Sequence, residues 1–134
     1  MLDYHEVLMN IAHIIFAGLC GLLIGYNRSK HDKPAGMRDF ALVGMGAALF
    51  TIVSQNYSSS IDPHGSRIAA NILTGMGFLG AGIIFQSRGS VHGISTAAGL
   101  WMITAIGMLF ATNMFFLAVF ATIITFLIFK FLNF

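Results

Sequence analysis

The chain has 134 residues, of which 57% are hydrophobic and only 9% are charged. Soluble domains carry about 25% charged residues, so this composition excludes an ordinary soluble globular domain and predicts an integral membrane protein. The single cysteine excludes an intramolecular disulfide, and the net charge of +2 becomes informative only when the charges are placed on the connections between helices.

Apolar segments long enough to cross a bilayer follow one another along most of the chain. About 20 apolar residues span a hydrocarbon core of about 30 Å as a helix. Both prolines, Pro34 and Pro63, lie between segments, as continuous helices require. The sequence therefore predicts an all-α integral membrane protein, one transmembrane domain built as a five-transmembrane-helix bundle, with helices at about 7–26, 37–54, 67–85, 94–110 and 112–129.

The first helix carries polar residues near its start and glycines further along. Glu6, Asn10 and His13 lie at i, i+4 and i+7, which places them on one face of the helix. Gly21 and Gly25 follow with a four-residue spacing that lets another backbone approach closely. We expect this part of helix 1 to pack against helix 3.

The basic residues fall mostly on one side of the predicted membrane. That side holds Arg28, Lys30, Lys33, Arg38, Arg88 and Lys130. The other side holds Arg67 together with acidic residues that include Asp62. Because basic residues are retained in the cytoplasm, we predict the N-terminus outside and the C-terminus cytoplasmic. The first four form a cytoplasmic basic loop that is also suited to contact with anionic lipid.

The third helix is crowded with small residues. Ala70, Thr74, Gly77 and Ala81 lie at i, i+4, i+7 and i+11, so one side has almost no side-chain volume. We therefore expect helix 3 at the centre of the bundle and helix 5, which has no glycine, at the lipid-facing periphery. The complete predicted packing face comprises Gly21, Gly25, Gly75, Gly77, Gly80 and Ala81.

Helix 3 repeats the polar spacing of helix 1. Arg67, Asn71 and Thr74 lie at i, i+4 and i+7, and the two helices are predicted to run parallel. Because polar groups in hydrocarbon need partners, we infer one outer polar cluster, with Glu6 paired to Arg67 and His13 near Asn71 or Thr74. Two interpretations remain open: a binding or proton-handling pocket open to the outside, and a hydrogen-bond network that fixes helix register.

The acidic residues do not predict a metal site. The chain has five, Asp3, Glu6, Asp32, Asp39 and Asp62, and they are divided between the two membrane faces. A magnesium site requires carboxylates that converge or that hold retained waters. We therefore expect no metal site and no cofactor, and we interpret Asp39 as a cap at the start of helix 2. No nucleophile–base arrangement indicates an enzyme.

Five stretches, in this order, carry a family resemblance: YNR at 26–28, KPAGMR at 33–38, RIAAN at 67–71, GFLGAG at 77–82 and GISTAAGLW at 93–101. Together they resemble the MgtC/SapB family of bacterial inner-membrane proteins. Asn27, Asn71 and His92 stand where that family usually has Glu, Gln and Arg. Larger members add a soluble cytoplasmic C-terminal domain, and we expect this chain to be a short form without it.

The resemblance implies a protein of the bacterial inner membrane associated with magnesium limitation, acid, virulence and stress adaptation inside host cells. It also implies action on membrane-protein partners, including the proton ATP synthase, rather than magnesium transport. We therefore expect a non-enzymatic protein that contacts lipid and membrane proteins, and no nucleic acid. The alternative is a small oligomeric transporter or channel for an ion or small solute, with the outer polar cluster in its vestibule.

Overall fold

The computed structural model describes residues 3–57, 63 and 65–132. Asp62 lies outside the described residues, so its place on the outer side remains a prediction. The described residues form five helices, as predicted, and a short antiparallel hairpin. The elements are α1 (Tyr4–Lys30), α2 (Met37–Asn56), α3 (Ser66–Ile83), β1 (Phe85–Ser87), β2 (Ser90–His92), α4 (Ile94–Ala111) and α5 (Phe115–Phe131).

Acidic side chains start the first two helices. The carboxylate of Asp3 accepts a hydrogen bond from the backbone N–H of Tyr4, at 2.9 Å. At the start of α2, Oδ2 of Asp39 accepts one from the N–H of Gly36, at 3.0 Å. Both carboxylates satisfy N–H groups near a positive helix end. The interpretation of Asp39 as a helix cap is therefore confirmed.

The structure places α4, rather than α3, at the centre of the bundle. α4 packs against all four other helices, whereas α3 packs mainly against α4 and α2. Ile103 and Ile106 of α4 are completely buried, while α3, which is described throughout, buries only Met76 and Gly80. The predicted central position of helix 3 is therefore wrong, because small residues permit close approach without determining which helix makes it.

Close backbone approaches occur where α1 meets α2. A Cβ atom on Gly21 would lie 2.7 Å from Cα of Ala41, and one on Gly25 would lie 2.7 Å from Cα of Met37. A Cβ atom cannot lie so close to another backbone unless one of the two helices moves away. Both positions therefore require glycine in this packing. Gly21 and Gly25 are packing residues as predicted, but their neighbour is α2 and not α3.

The hairpin connects α3 to α4 and was not predicted from the sequence. Phe85 pairs with His92, and their rings stack with centroids 5.2 Å apart. Gly93 follows with a φ of +91°, and a Cβ there would meet the carbonyl oxygen of Ile83, so glycine is required on both counts. α3 therefore ends at Ile83, two residues before the predicted limit, and the hairpin returns the chain to the start of α4 beside that end.

Buried threonines donate hydrogen bonds within their own helices. The hydroxyls of Thr51, Thr104 and Thr122 donate to the carbonyl oxygen four residues earlier, at 2.7, 2.8 and 2.8 Å. For Thr51 and Thr104 this bond satisfies the buried hydroxyl without a partner on another helix. The helix interfaces at these positions therefore behave as apolar surfaces.

Three of the helices are long and apolar enough to cross a membrane, as far as the described residues show: α1, α2 and α4. α5 is also apolar but has 17 residues. Large apolar side chains cover the outside of the bundle, among them Phe116 of α5, which is 95% exposed. A soluble protein rarely exposes so much apolar surface, so this surface is suited to lipid.

Candidate functional site

The polar residues predicted to form one cluster lie apart in the structure as two polar strips, one on α1 (Glu6, Asn10 and His13) and one on α3 (Arg67, Asn71 and Thr74). α1 packs against α2, α4 and α5, whereas α3 packs against α4 and α2, so α1 and α3 flank the α2–α4 pair. His13 is buried, and its ring lies 5.2 Å from the Phe115 ring of α5, measured between centroids. The structure therefore brings His13 to α5 instead of to Asn71 or Thr74.

The other members of the strips are more accessible than His13. Glu6 is exposed and Asn10 is half-buried, both in the first part of α1. On α3, Arg67, Asn71 and Thr74 are all exposed. Each strip therefore presents polar groups on its own side of the bundle, and the structure does not assemble them into one outer cluster.

The small-residue stripe of α3 faces away from the other described helices. Ala70, Thr74, Gly77 and Ala81, which we call the open face of α3, are all exposed. A Cβ atom on Gly77 would have no heavy atom of a neighbouring segment within 4 Å. Phe78, beside this stripe, is 85% exposed. The open face is thus available for a contact outside the described chain.

An apolar groove of about 550 Å³ runs between α2 and α3, next to the open face. Phe50 of α2 lines one wall, and Asn71 and Gly75 of α3 line the other. A Cβ atom on Gly46 or on Gly75 would meet nothing within 4 Å, so the two walls are not packed together at these glycines. Asn71 therefore places an amide group in an otherwise apolar surface.

The predicted packing face divides into inner and outer parts. Gly80 faces the interior, since a Cβ atom there would lie 3.6 Å from Cβ of Ala97 on α4. Gly75, Gly77 and Ala81 lie on the same helix but are exposed. The glycines of α3 therefore contribute less to the fold than Gly21 and Gly25 of α1 do.

The four residues of the predicted basic loop differ greatly in exposure. Lys30 and Arg38 are exposed and Lys33 is half-buried, but the side chain of Arg28 is only 2% exposed. Its Cζ atom lies 4.1 Å from the ring centroid of Phe129, a cation–π distance. Arg28 is therefore a buried residue that joins the ends of α1 and α5.

Counting charges by loop did not reveal the burial of Arg28, but helical spacing does. Ala17, Gly21, Ile24 and Arg28 lie at i, i+4, i+7 and i+11, and all four are buried. Residues with this spacing share one face of a helix. Arg28 thus ends the packed face of α1.

No group of three or more His, Cys, Asp or Glu side chains able to hold a metal ion lies within the described part of the chain. The candidate site is instead a surface made of the open face of α3 and the adjoining groove. Its small and weakly polar residues are suited to helix–helix contact in a membrane.

The long apolar helices and their exposed apolar side chains define a helical membrane protein. Within that class the chain belongs to the MgtC family, whose family model matches residues 14–134. This confirms the resemblance found in the sequence motifs.

Three relatives illustrate the similarity. The chain is 39% identical to "Putative magnesium transporter YhiD" of Escherichia coli K12, over 88% of this chain and 58% of that protein. It is 43% identical to "Protein MgtC" of Brucella abortus strain 2308, over 80% of this chain and 44% of the relative. It is 45% identical to "Protein MgtC" of Salmonella typhimurium strain 14028s, over 85% of this chain and 48% of that protein.

The chain thus spans about half the length of the curated relatives it matches, from 44% to 58%. No solved structure matches the chain.

Proposed function

We propose that this MgtC-family protein is a non-enzymatic, multi-pass protein of the bacterial inner membrane that binds other membrane proteins through the open face of α3. The observation that carries the proposal is the exposure of Ala70, Thr74, Gly77 and Ala81, with space around Gly77 for a neighbouring helix. Among the described residues, nothing lies close enough to Gly77 to require glycine there.

Membrane energetics support an association at this face. Helices in lipid associate through van der Waals packing and interhelical hydrogen bonds, and small residues allow their backbones to approach closely. The exposed amide of Asn71 and hydroxyl of Thr74 gain partners when another helix covers them. Such hydrogen bonds contribute about 0.6–2 kcal/mol each in membranes.

All five helices cross the membrane in this proposal, with the basic ends in the cytoplasm. α3 has 18 residues and α5 has 17, so each is about 26 Å long at about 1.5 Å per residue. That length approaches the hydrocarbon thickness of about 30 Å. Flanking residues and local thinning accommodate the small difference.

The partner class is a membrane protein with a small-residue or weakly polar helix face. The family resemblance makes the proton ATP synthase the first candidate, in adaptation to magnesium limitation, acid or stress inside a host. The name of the YhiD relative favours the second function, in which oligomers of the chain conduct an ion or small solute. A second copy of the chain bound at the open face fits that alternative.

Affinity purification from native membranes in mild detergent tests the proposal. We expect tagged wild-type protein to retain a stoichiometric membrane-protein partner and Gly77→Leu to lose it while remaining folded. Ala105→Leu is the matched control, because it enlarges an exposed residue on α4. Retention of the partner by Gly77→Leu, or equal loss with Ala105→Leu, would contradict the assigned surface.

Reconstitution in protein-free liposomes separates the two functions. A partner-binding protein alone should not increase the flux of magnesium or protons above that of empty liposomes. Flux that depends on the wild-type chain, together with a homo-oligomer as the sole purified species, would replace the first proposal with transport.

A further inference from the structure

A second cavity, of about 770 Å³, lies at the end of the bundle where α1 stops and α4 begins. Unlike the groove between α2 and α3, it is lined largely by polar groups. Its walls come from the last turn of α1, the connection to α2, the hairpin and the first turn of α4. The lining includes Arg28, His31, Lys33, His92, Ser95 and Thr96.

Arg28 is the most unusual group in this lining. Its Nε and Nη1 atoms are buried and have no hydrogen-bond partner among the described residues. A buried guanidinium is costly unless an anion pairs with it. Contact with the Phe129 ring offsets part of the cost but gives the N–H groups no acceptor.

The N-terminus of α4 lines the same cavity. Its first three residues, Ile94, Ser95 and Thr96, all belong to the lining. The first N–H groups of a helix lack intrahelical partners, and Gly93 before them provides no side-chain cap. The dipole of this 18-residue helix adds partial positive charge at the same place. Helix N-termini of this kind bind phosphate and other anions.

The remaining charges of the cavity favour an anion as well. Lys33 contributes a second cation, and His31 and His92 contribute imidazole groups. Asp32 is the single acid among the described lining residues, and it is exposed. The lining therefore has three positive contributions: buried Arg28, half-buried Lys33 and the N-terminus of α4. The only opposing charge among the described lining residues is the exposed carboxylate of Asp32.

We propose that this cavity binds a phosphate group, carried either by an anionic phospholipid or by a soluble phosphate compound. Arginine donates in a planar fork that matches two phosphate oxygens, and the α4 N–H groups supply further donors. The volume of about 770 Å³ holds a phosphate together with a substituent. Exposed Phe85, Val91 and Ile94 at the rim place apolar surface where the glycerol end of a lipid would lie.

The test uses the full chain in detergent and three probes at constant ionic strength. The probes are inorganic phosphate, dioctanoyl phosphatidylglycerol and dioctanoylglycerol, which has the same acyl chains without phosphate. Binding is measured by calorimetry and by the rise in the thermal unfolding midpoint, because a ligand that binds only the folded state stabilises it. A response to either phosphate probe without one to dioctanoylglycerol supports the site, and the stronger probe identifies the source.

Three variants locate the binding. Arg28→Gln should weaken phosphate binding at least about tenfold, since it removes charge-assisted hydrogen bonds. Lys33→Gln should weaken it about threefold, and it supplies the test if Arg28→Gln does not fold. Lys130→Gln removes the same charge at an exposed position on α5, outside both the lining and the basic loop, and should bind as wild type. Wild-type binding by both cavity variants, or equal loss with Lys130→Gln, would overturn the proposal.

Discussion

The guanidinium of Arg28 lies over the ring of Phe129, with Cζ 4.1 Å from the ring centroid, and so connects the last turn of α1 to the last turn of α5. The same ring packs edge-on against Phe40 of α2, with centroids 6.4 Å apart. A Cβ atom on Gly99 of α4 would also collide with Phe129. One aromatic ring therefore contacts three other helices at this end of the bundle.

Removal of the Phe129 ring should destabilise the bundle. Phe129→Ala leaves a cavity between α1, α2 and α4, and a large-to-small change of this kind costs about 3–5 kcal/mol. The thermal unfolding midpoint in detergent measures the loss. Phe131→Ala, on the same helix but 70% exposed, is the control and should shift the midpoint little. Equal shifts for the two variants would show that Phe129 does not anchor the helices.

Methyl groups added to different glycines should have opposite effects. Gly21→Ala forces a carbon atom to 2.7 Å from Cα of Ala41, so α1 and α2 must separate and stability should fall by about 1–3 kcal/mol. Gly75→Ala meets no neighbour and should stabilise the helix by about 0.5–1 kcal/mol. Chemical denaturation of both variants in mixed micelles checks the signs. Destabilisation by Gly75→Ala would mean that α3 packs more tightly than the structure shows.

Double-mutant cycles should distinguish the observed contacts of α1 from the predicted cluster. His13 and Phe115 should couple by about 0.5–1.5 kcal/mol, as rings in contact do. Glu6 and Arg67, on helices that flank the α2–α4 pair, should couple by less than about 0.5 kcal/mol. The cycles are measured as free energies of unfolding. Strong coupling of Glu6 to Arg67 would support the outer polar cluster predicted from the sequence and contradict the separation of α1 from α3.

The proposed topology predicts where reporter enzymes fused to the chain are active. Alkaline phosphatase is active only outside the cytoplasm, so a fusion after Tyr57 should have high activity and fusions after Pro34 and Phe131 should have low activity. These positions follow α2, α1 and α5 respectively. High activity after Phe131 would mean that a helix does not cross the membrane or that the orientation is reversed.

The existence of the five helices could be predicted from the sequence, although the predicted limits of helices 1 and 5 differ from the observed ones by up to four residues. The predicted limits of helices 2 and 4, 37–54 and 94–110, differ little from Met37–Asn56 and Ile94–Ala111. Apolar runs bounded by glycine, proline and charged residues are local signals, so they are readable without knowledge of neighbours. The Asp39 cap was predictable for the same reason.

The arrangement of the helices could not be predicted in this way. Gly107 of α4 packs so closely that a Cβ there would meet the carbonyl oxygen of Gly44, yet Gly77 of α3 faces outwards. Both glycines lie in apolar helices, so spacing alone does not separate them. The burial of Arg28 was missed because counting charges gives the side of the membrane but not the face of the helix.

The hydrogen bonds of Thr51 and Thr104 have a consequence for how freely this sequence can change. Because each of these two hydroxyls bonds to its own helix, valine at either position would keep the shape of the interface and sacrifice no link to another helix. Glycine at 21 or 25 allows no such exchange. We expect threonine and valine to interchange in descendants of this chain, while the two α1 glycines persist.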